Sequence, residues 1–145
     1  MRTGAGIRPI AICLLRRDER VLVFEGHDPT KPETFYRPLG GGIEFGETGQ
    51  DAVAREVREE IGAEISNVRF VGLLENIFTF GGEPKHELVL VYAADLVDER
   101  FYALDEWVGH EDDGTPIRVL WKRVTDFGAD GLVLYPDGLL QMLRS

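Results

Sequence analysis

Apolar positions in this chain fall into short blocks divided by polar turns. Residues 10–15, Ile-Ala-Ile-Cys-Leu-Leu, form an unbroken apolar run. The run is too short for a typical helix and reads as a strand buried on both faces. The charged stretch 16–20 reads as a turn, and Val21-Leu22-Val23-Phe24 as the second strand of a hairpin. Residues 26–32 are polar loop with two prolines. Phe35 to Leu39 then runs into Gly40-Gly41-Gly42. Three successive glycines serve unusual backbone angles or the close approach of a ligand, not packing.

Residues 48–61 change to a helical period. Thr48 is a natural N-cap, with Asp51 in the acid position of a capping arrangement. Val53, Val57 and Ile61 recur every fourth residue as an apolar stripe, and Gly62 is a suitable stop. Residues 68–80 predict a strand or bent pair that ends at the turn Gly81-Gly82-Glu83-Pro84. Residues 88–94 predict a strong buried strand. Residues 98–116 are acidic, rich in turn formers and expected to be irregular. Ile117 to Trp121 alternates as a strand does, and after Pro136-Asp137-Gly138 a short amphipathic helix is expected over 139–143. Several strands and two helices, without repeats or a linker, make the fold class α/β.

Length then bounds the organisation: 145 residues predict one domain over 1–145. The hydrophobic share of 43% is enough to bury a core without disulfides. The single cysteine, Cys13, lies in the first apolar run and reads as a small buried hydrophobe. The formal net charge of -10 disfavours nucleic-acid polymers and anionic membranes as partners. It is compatible with a small phosphorylated substrate where a divalent cation screens the site. No stretch resembles a signal peptide or reaches the length of a membrane span, so a soluble, cytoplasmic protein is expected.

The candidate chemistry sits on the helix. Glu56 and Glu60 lie one turn apart on one face, and Glu59 borders that face. Three clustered carboxylates repel one another, and a bound divalent cation offsets the repulsion. Carboxylate oxygens suit hard cations such as Mg²⁺ or Mn²⁺. Glutamate-rich helix faces are usually just solvated. Here, however, the acidic stripe adjoins the apolar stripe at the edge of the core, and the glycine-rich loop of Gly40, Gly41 and Gly42 leads into the same helix.

These residues resemble the Nudix box. Gly41 begins it, Glu47 follows after five residues, and Arg55-Glu56 after seven more. Val57, Glu59-Glu60 and Gly62 fall in place, and Ala63 stands where a larger aliphatic is usual. The resemblance implies a Nudix α/β/α sandwich in which the box forms a loop–helix–loop beside a mixed sheet. It implies Mg²⁺ or Mn²⁺ held by Glu56 and Glu60, with Glu59 and the carbonyl of Gly40 as further ligands. Arg55 would pair with Glu47 and, with Gly62, serve the box structurally. The reaction implied is attack of water on a phosphoanhydride bond, with Glu56 as base or shared ligand. Glu56, Glu59 and Glu60 are thus the candidate catalytic residues. Some members take an acid from a later loop, for which Glu111 is the candidate here, as base or added ligand.

Substrate contacts are expected from Arg37, whose fork matches phosphate geometry, and from Gly41 and Gly42. Phe35, Tyr36, Phe78, Phe80 and Tyr92 are available for base stacking, although strand aromatics are more often core. His27, His86 and His110 are not spaced as a metal site. The expected activity is hydrolysis of a nucleoside triphosphate, a nucleotide sugar such as ADP-ribose, or a dinucleoside polyphosphate. The alternatives are an RNA 5′-end pyrophosphohydrolase, disfavoured by the negative charge, and a non-catalytic nucleotide sensor, disfavoured by the complete set of box acids. Many members are dimers, so a homodimer is a further expectation.

Overall fold

The computed structural model describes residues 6–145. Strand β1 (Ile7–Arg17) is the hub of the sheet. It pairs antiparallel with β2 (Arg20–His27) at its end and with β4 (Leu39–Gly42) over Ile10 to Cys13. Along Ile7 to Leu15 it also runs parallel to β6 (Glu83–Leu96). The edge strand β5 (Ile65–Phe80) forms a long hairpin with β6, with register shifts after Ser66 and Phe70. On the other side β2 pairs with β3 (Thr34–Arg37) and β8 (Pro116–Arg123). Strand β7 (Glu106–His110) pairs with β8, and β9 (Val133–Leu134) with β3. Both parallel and antiparallel pairs occur, as a mixed sheet requires.

The doubly buried reading of residues 10–15 has a direct structural counterpart. Ala11, Cys13 and Leu15 join the core under α1 (Gly49–Ile61), together with Val53, Val57 and Trp121. Ile10, Ile12 and Leu14 join a second core with Leu139 and Leu143 of α2 (Leu139–Arg144). Successive side chains of a strand point to opposite faces, so one strand feeds both cores. Helices on both faces of one sheet make the α/β/α sandwich. Cys13 is fully enclosed, and burial pushes its thiol up to about 12. The small residue Ala63 at the end of the box is also enclosed in the core beneath α1.

The structure corrects three expectations. Gly40-Gly41-Gly42 is not loop but the end of β4, hydrogen-bonded to β1 through Ile12, Ala11 and Ile10. Gly40 has φ +150°, and a Cβ there would meet Ala11 O at 2.2 Å, so the glycines let the strand press against β1. The stretch 98–116 is not irregular throughout: it holds a 3₁₀ turn at Glu99–Ala103 and all of β7. The long strand predicted over 68–80 begins earlier, at Ile65. It is bulged, and the bulges mask its two-residue period.

Candidate metal and diphosphate site

Helix α1 begins where the sequence indicates. Thr48 accepts from Asp51 N–H at 3.1 Å, and Gly62 closes the helix in the left-handed region at φ 70°. The apolar stripe faces the sheet, so Glu56 and Glu60, beside it, are carried inward. They are only 2% and 5% exposed. Carboxylates that deep are costly unless paired, bonded or neutralised.

Each acid has a different setting. Glu60 accepts from Gly40 N–H at 2.9 Å, which ties the helix to β4. Burial and then the charge of Glu56 push Glu60 up to about 9. Glu56 accepts from Arg55 Nη1 at 2.9 Å, yet burial and Asp112 still raise it above the usual carboxylate range. Glu59 is exposed and accepts from the same Arg55 Nη1 at 3.3 Å. Arg55 also donates to Glu47 at 2.8 and 2.9 Å and to Gly42 O at 3.0 Å. Its hydrogen bonds hold Glu47 down at about 2. One guanidinium thus fixes the box turn, the end of β4 and two helix acids.

Among the described residues, carboxylate oxygens of Glu56, Glu59 and Asp112 lie within 4.8 Å of one another. That donor set is all oxygen and strongly anionic, which fits a hard divalent cation. Burial first, and neighbouring carboxylate charge second, hold Glu56 and Glu60 above the usual range, and a bound cation opposes both effects. Asp112 was not singled out from sequence, because no spacing links it to the helix. It arrives through the 111–115 turn that joins β7 to β8, where Glu111 N–H donates to Thr115 O at 2.8 Å.

These acids open into a cleft of about 340 Å³, whose lining includes Arg8, Phe24, Arg37, Glu87, Glu111 and Asp112. Gly40 and Gly41 form part of its floor, and a Cβ on Gly41 would fall 2.6 Å from the Glu56 carboxyl carbon. Glu111 lines the cleft but lies outside the tight trio; burial, Asp113 and Asp112 raise its pKa. Arg37 reaches the cleft from β3, and burial lowers its pKa while Glu87 and Glu60 oppose that effect.

None of the five aromatics considered for stacking lines this cleft. Tyr36 and Tyr92 are core, Phe35 packs on Phe80 and Tyr135, and Phe78 lies elsewhere on β5. Phe24, Arg8 and Glu87 were missed by sequence reasoning. Arg8 and Glu87 face one another in the β1–β6 register, a relation visible only once the strands are paired. His86 pairs with Glu75 at 2.9 Å, outside the cleft.

A family description, "NUDIX domain", matches residues 6–125, which contain every element of this site. The chain belongs to the NUDIX family. Curated relatives include the "NAD-capped RNA hydrolase NudC" of Vibrio atlanticus (strain LGP32), 38% identical over 66 residues, or 46% of this chain and 24% of the relative. The protein of the same name from Pseudomonas aeruginosa (strain LESB58) is 33% identical over 91 residues, 63% of this chain and 30% of the relative. The chain therefore spans less than a third of the length of these curated relatives. Among solved structures, a NUDIX hydrolase from Nitrosomonas europaea superposes with TM-score 0.67 at 17% identity, covering 96% of this chain and 87% of that one. A MutT NUDIX hydrolase from Burkholderia pseudomallei gives 0.63 at 19%, covering 96% and 97%. These superpositions match the NUDIX sandwich found here.

Proposed function

We propose that this chain, as one domain over 1–145, hydrolyses a phosphoanhydride bond in a small nucleotide, using Mg²⁺ or Mn²⁺. The observation that carries the reading is the buried pair Glu56 and Glu60 beside Glu59 and Asp112, set in a NUDIX domain. Glu56, Glu59 and Asp112 would hold the cation, with Glu60 and the Gly40 carbonyl at its border. Such an ion supplies neutralisation of phosphate charge and a lowered pKa for water.

The chain's own groups do the rest. Arg55 sets the Glu56 and Glu59 carboxylates through its two hydrogen bonds. The Gly40 N–H fixes Glu60. The Arg37 guanidinium, held at the cleft wall, binds a substrate phosphate through its fork. Glu111 lines the cleft without joining the tight trio and accepts the proton of the attacking water. Its raised pKa brings it closer to neutrality, where a general base works best. The missing Cβ of Gly41 makes room for the Glu56 carboxylate, and the backbone of Gly41 and Gly42 is the surface offered to the diphosphate.

Substrates in this reading are nucleoside triphosphates, nucleotide sugars such as ADP-ribose, or dinucleoside polyphosphates. The names of the curated relatives add a second reading, an NAD-capped RNA end. The net charge of -10 works against a polymer, but the NAD diphosphate itself is a small-molecule target of the same chemistry. A cytoplasmic setting belongs to this proposal; among the described residues no helix is long and apolar enough to cross a membrane.

The test is product release from a panel of these compounds, NAD and an NAD-capped RNA included, with Mg²⁺, Mn²⁺ or EDTA. Cleavage that needs metal and falls at least about 100-fold in Glu56→Gln, with folding intact, is expected. Metal-independent cleavage, or wild-type rates in Glu56→Gln, would remove the metal-hydrolase reading.

A further inference from the structure

The candidate cation site is built from two parts of the fold. Glu56 and Glu59 come from α1, and Asp112 from the turn that follows β7. Helix α1 is firmly held. Its Val53 and Val57 are fully enclosed in the core, and Glu60 accepts from Gly40 N–H at 2.9 Å. Strand β7 is an edge: among the described residues it pairs with β8 alone. How closely β7 lies against the helix therefore decides whether Asp112 reaches the two helix acids.

Gly109 is the one buried residue of β7. A Cβ there would fall 2.6 Å from Glu60 O, 3.0 Å from Val119 Cγ2 and 3.3 Å from Ile61 Cγ2. Its φ lies outside the left-handed region, so this glycine provides closeness and not backbone freedom. Glu56 lies one turn back along α1 from Glu60, about 6 Å along the axis, and Asp112 follows Gly109 closely in the chain. The point of contact and the cation site are thus adjacent. The start of β7 is anchored. Glu106 accepts from Arg118 at 2.9 and 3.1 Å, and Trp107 packs against the core and on Phe101, with centroids 5.7 Å apart. Beyond Gly109 the turn braces itself. Glu111 N–H donates to Thr115 O at 2.8 Å, Gly114 N–H to Glu111 O at 2.9 Å and Thr115 N–H to Asp113 Oδ1 at 2.9 Å, so the turn shifts as one piece.

We propose that Gly109 is a positioning residue of the cation site: its bare Cα lets β7 rest on the Glu60 carbonyl, and that contact holds Asp112 beside Glu56 and Glu59. The proposal rests on the metal-hydrolase reading of this cleft. A side chain at 109 has to open the 2.6 Å contact to about 3.5 Å. With α1 held and the start of β7 anchored, that movement of about 1 Å passes to the turn. Metal–ligand distances tolerate only about 0.2 Å, so Asp112 leaves the reach of the ion while the helix acids stay. The linkage is reciprocal: an ion held by Asp112 also holds β7 against the helix.

The experiment measures Mn²⁺ affinity by calorimetry, and amide hydrogen exchange with and without Mn²⁺. Gly109→Ala should bind Mn²⁺ at least about tenfold more weakly than wild type. Val108→Thr, on the exposed side of the same strand, should bind like wild type. In the Asp112→Asn background Gly109→Ala should cost nothing further, because the ligand it displaces is already gone. In wild-type protein Mn²⁺ should slow exchange along β7 from Trp107 to His110 as well as in the turn, a readout that needs no variant to fold. Wild-type Mn²⁺ affinity in Gly109→Ala, with metal-dependent cleavage intact, overturns the proposal and leaves the hydrolase reading standing. Losses that multiply in the double variant put the effect on the helix acids and overturn it too. Exchange slowed in the turn alone has the same force. Mn²⁺ binding that weakens in Gly109→Ala as expected, in a protein that cleaves nothing on the panel, upholds the role of Gly109 and removes the hydrolase reading. Wild-type protein that binds no Mn²⁺ removes both.

Discussion

Replacing Glu60 by Gln tests the electrostatics of the cluster without altering its shape. The amide has nearly the same volume and keeps an oxygen that accepts from Gly40 N–H, but it cannot ionise. In the folded chain, burial and the Glu56 charge push Glu60 from the ordinary 4.5 up to about 9. The metal-free folded state thus holds a proton that the unfolded chain releases throughout that window. The stability contributed by this group is complete below about 4.5 and is lost as pH rises through about 9. Each pH unit inside the window changes stability by about 1.4 kcal/mol, and three units by about 4 kcal/mol. That is a large share of a typical total of about 5–15 kcal/mol. Glu56 is raised as well, so the variant loses one proton of pH dependence and retains the rest. The assay is urea unfolding in EDTA from about pH 5.5 to about pH 8.5, with midpoints read at each step. Wild-type stability should fall more steeply with pH than that of Glu60→Gln, and the variant should be the more stable protein at the alkaline end. Parallel curves would refute the claim that Glu60 is held protonated in the metal-free fold.

Two more variants probe the site and its frame. Asp112→Asn should weaken Mn²⁺ binding about 10-fold or more, whereas Glu111→Ala should keep Mn²⁺ affinity and lower kcat; calorimetry beside steady-state rates separates them, and the reverse pattern would exchange the two roles. Gly40→Ala should destabilise the fold by about 1–3 kcal/mol through backbone strain alone, more once the contact with Ala11 is added, and a thermal midpoint equal to wild type would contradict the strained close approach.

The sequence displayed most of the helix and its acids, because their signals are local. Thr48, the Val53–Val57 stripe, Gly62 and the box acids all act within a few residues of one another. The pairing of Arg55 with Glu47 was legible for the same reason and is found at 2.8 Å. What stayed hidden depends on strand pairing. Gly40-Gly41-Gly42 carries no strand propensity, yet β1 supplies a ladder that overrides it. Asp112, Arg8 and Glu87 reach the cleft from three separate elements, and nothing in their own neighbourhoods marks them. Glu111 was chosen over Asp112 in a run of three acids, where one residue of difference decides which carboxylate turns toward Glu56 and Glu59.

The enclosure of Cys13 has a consequence beyond packing. A thiol held at about 12 with no exposed surface has almost no thiolate to offer, so oxidants and alkylating reagents meet an inert group while the sheet stays closed. Its strand is the hub that joins both halves of the sheet, so exposing it requires disassembling the whole sandwich and not merely fraying an edge. The speed at which this one sulfur becomes chemically visible is therefore a clock for global opening, written into the chain without any added label.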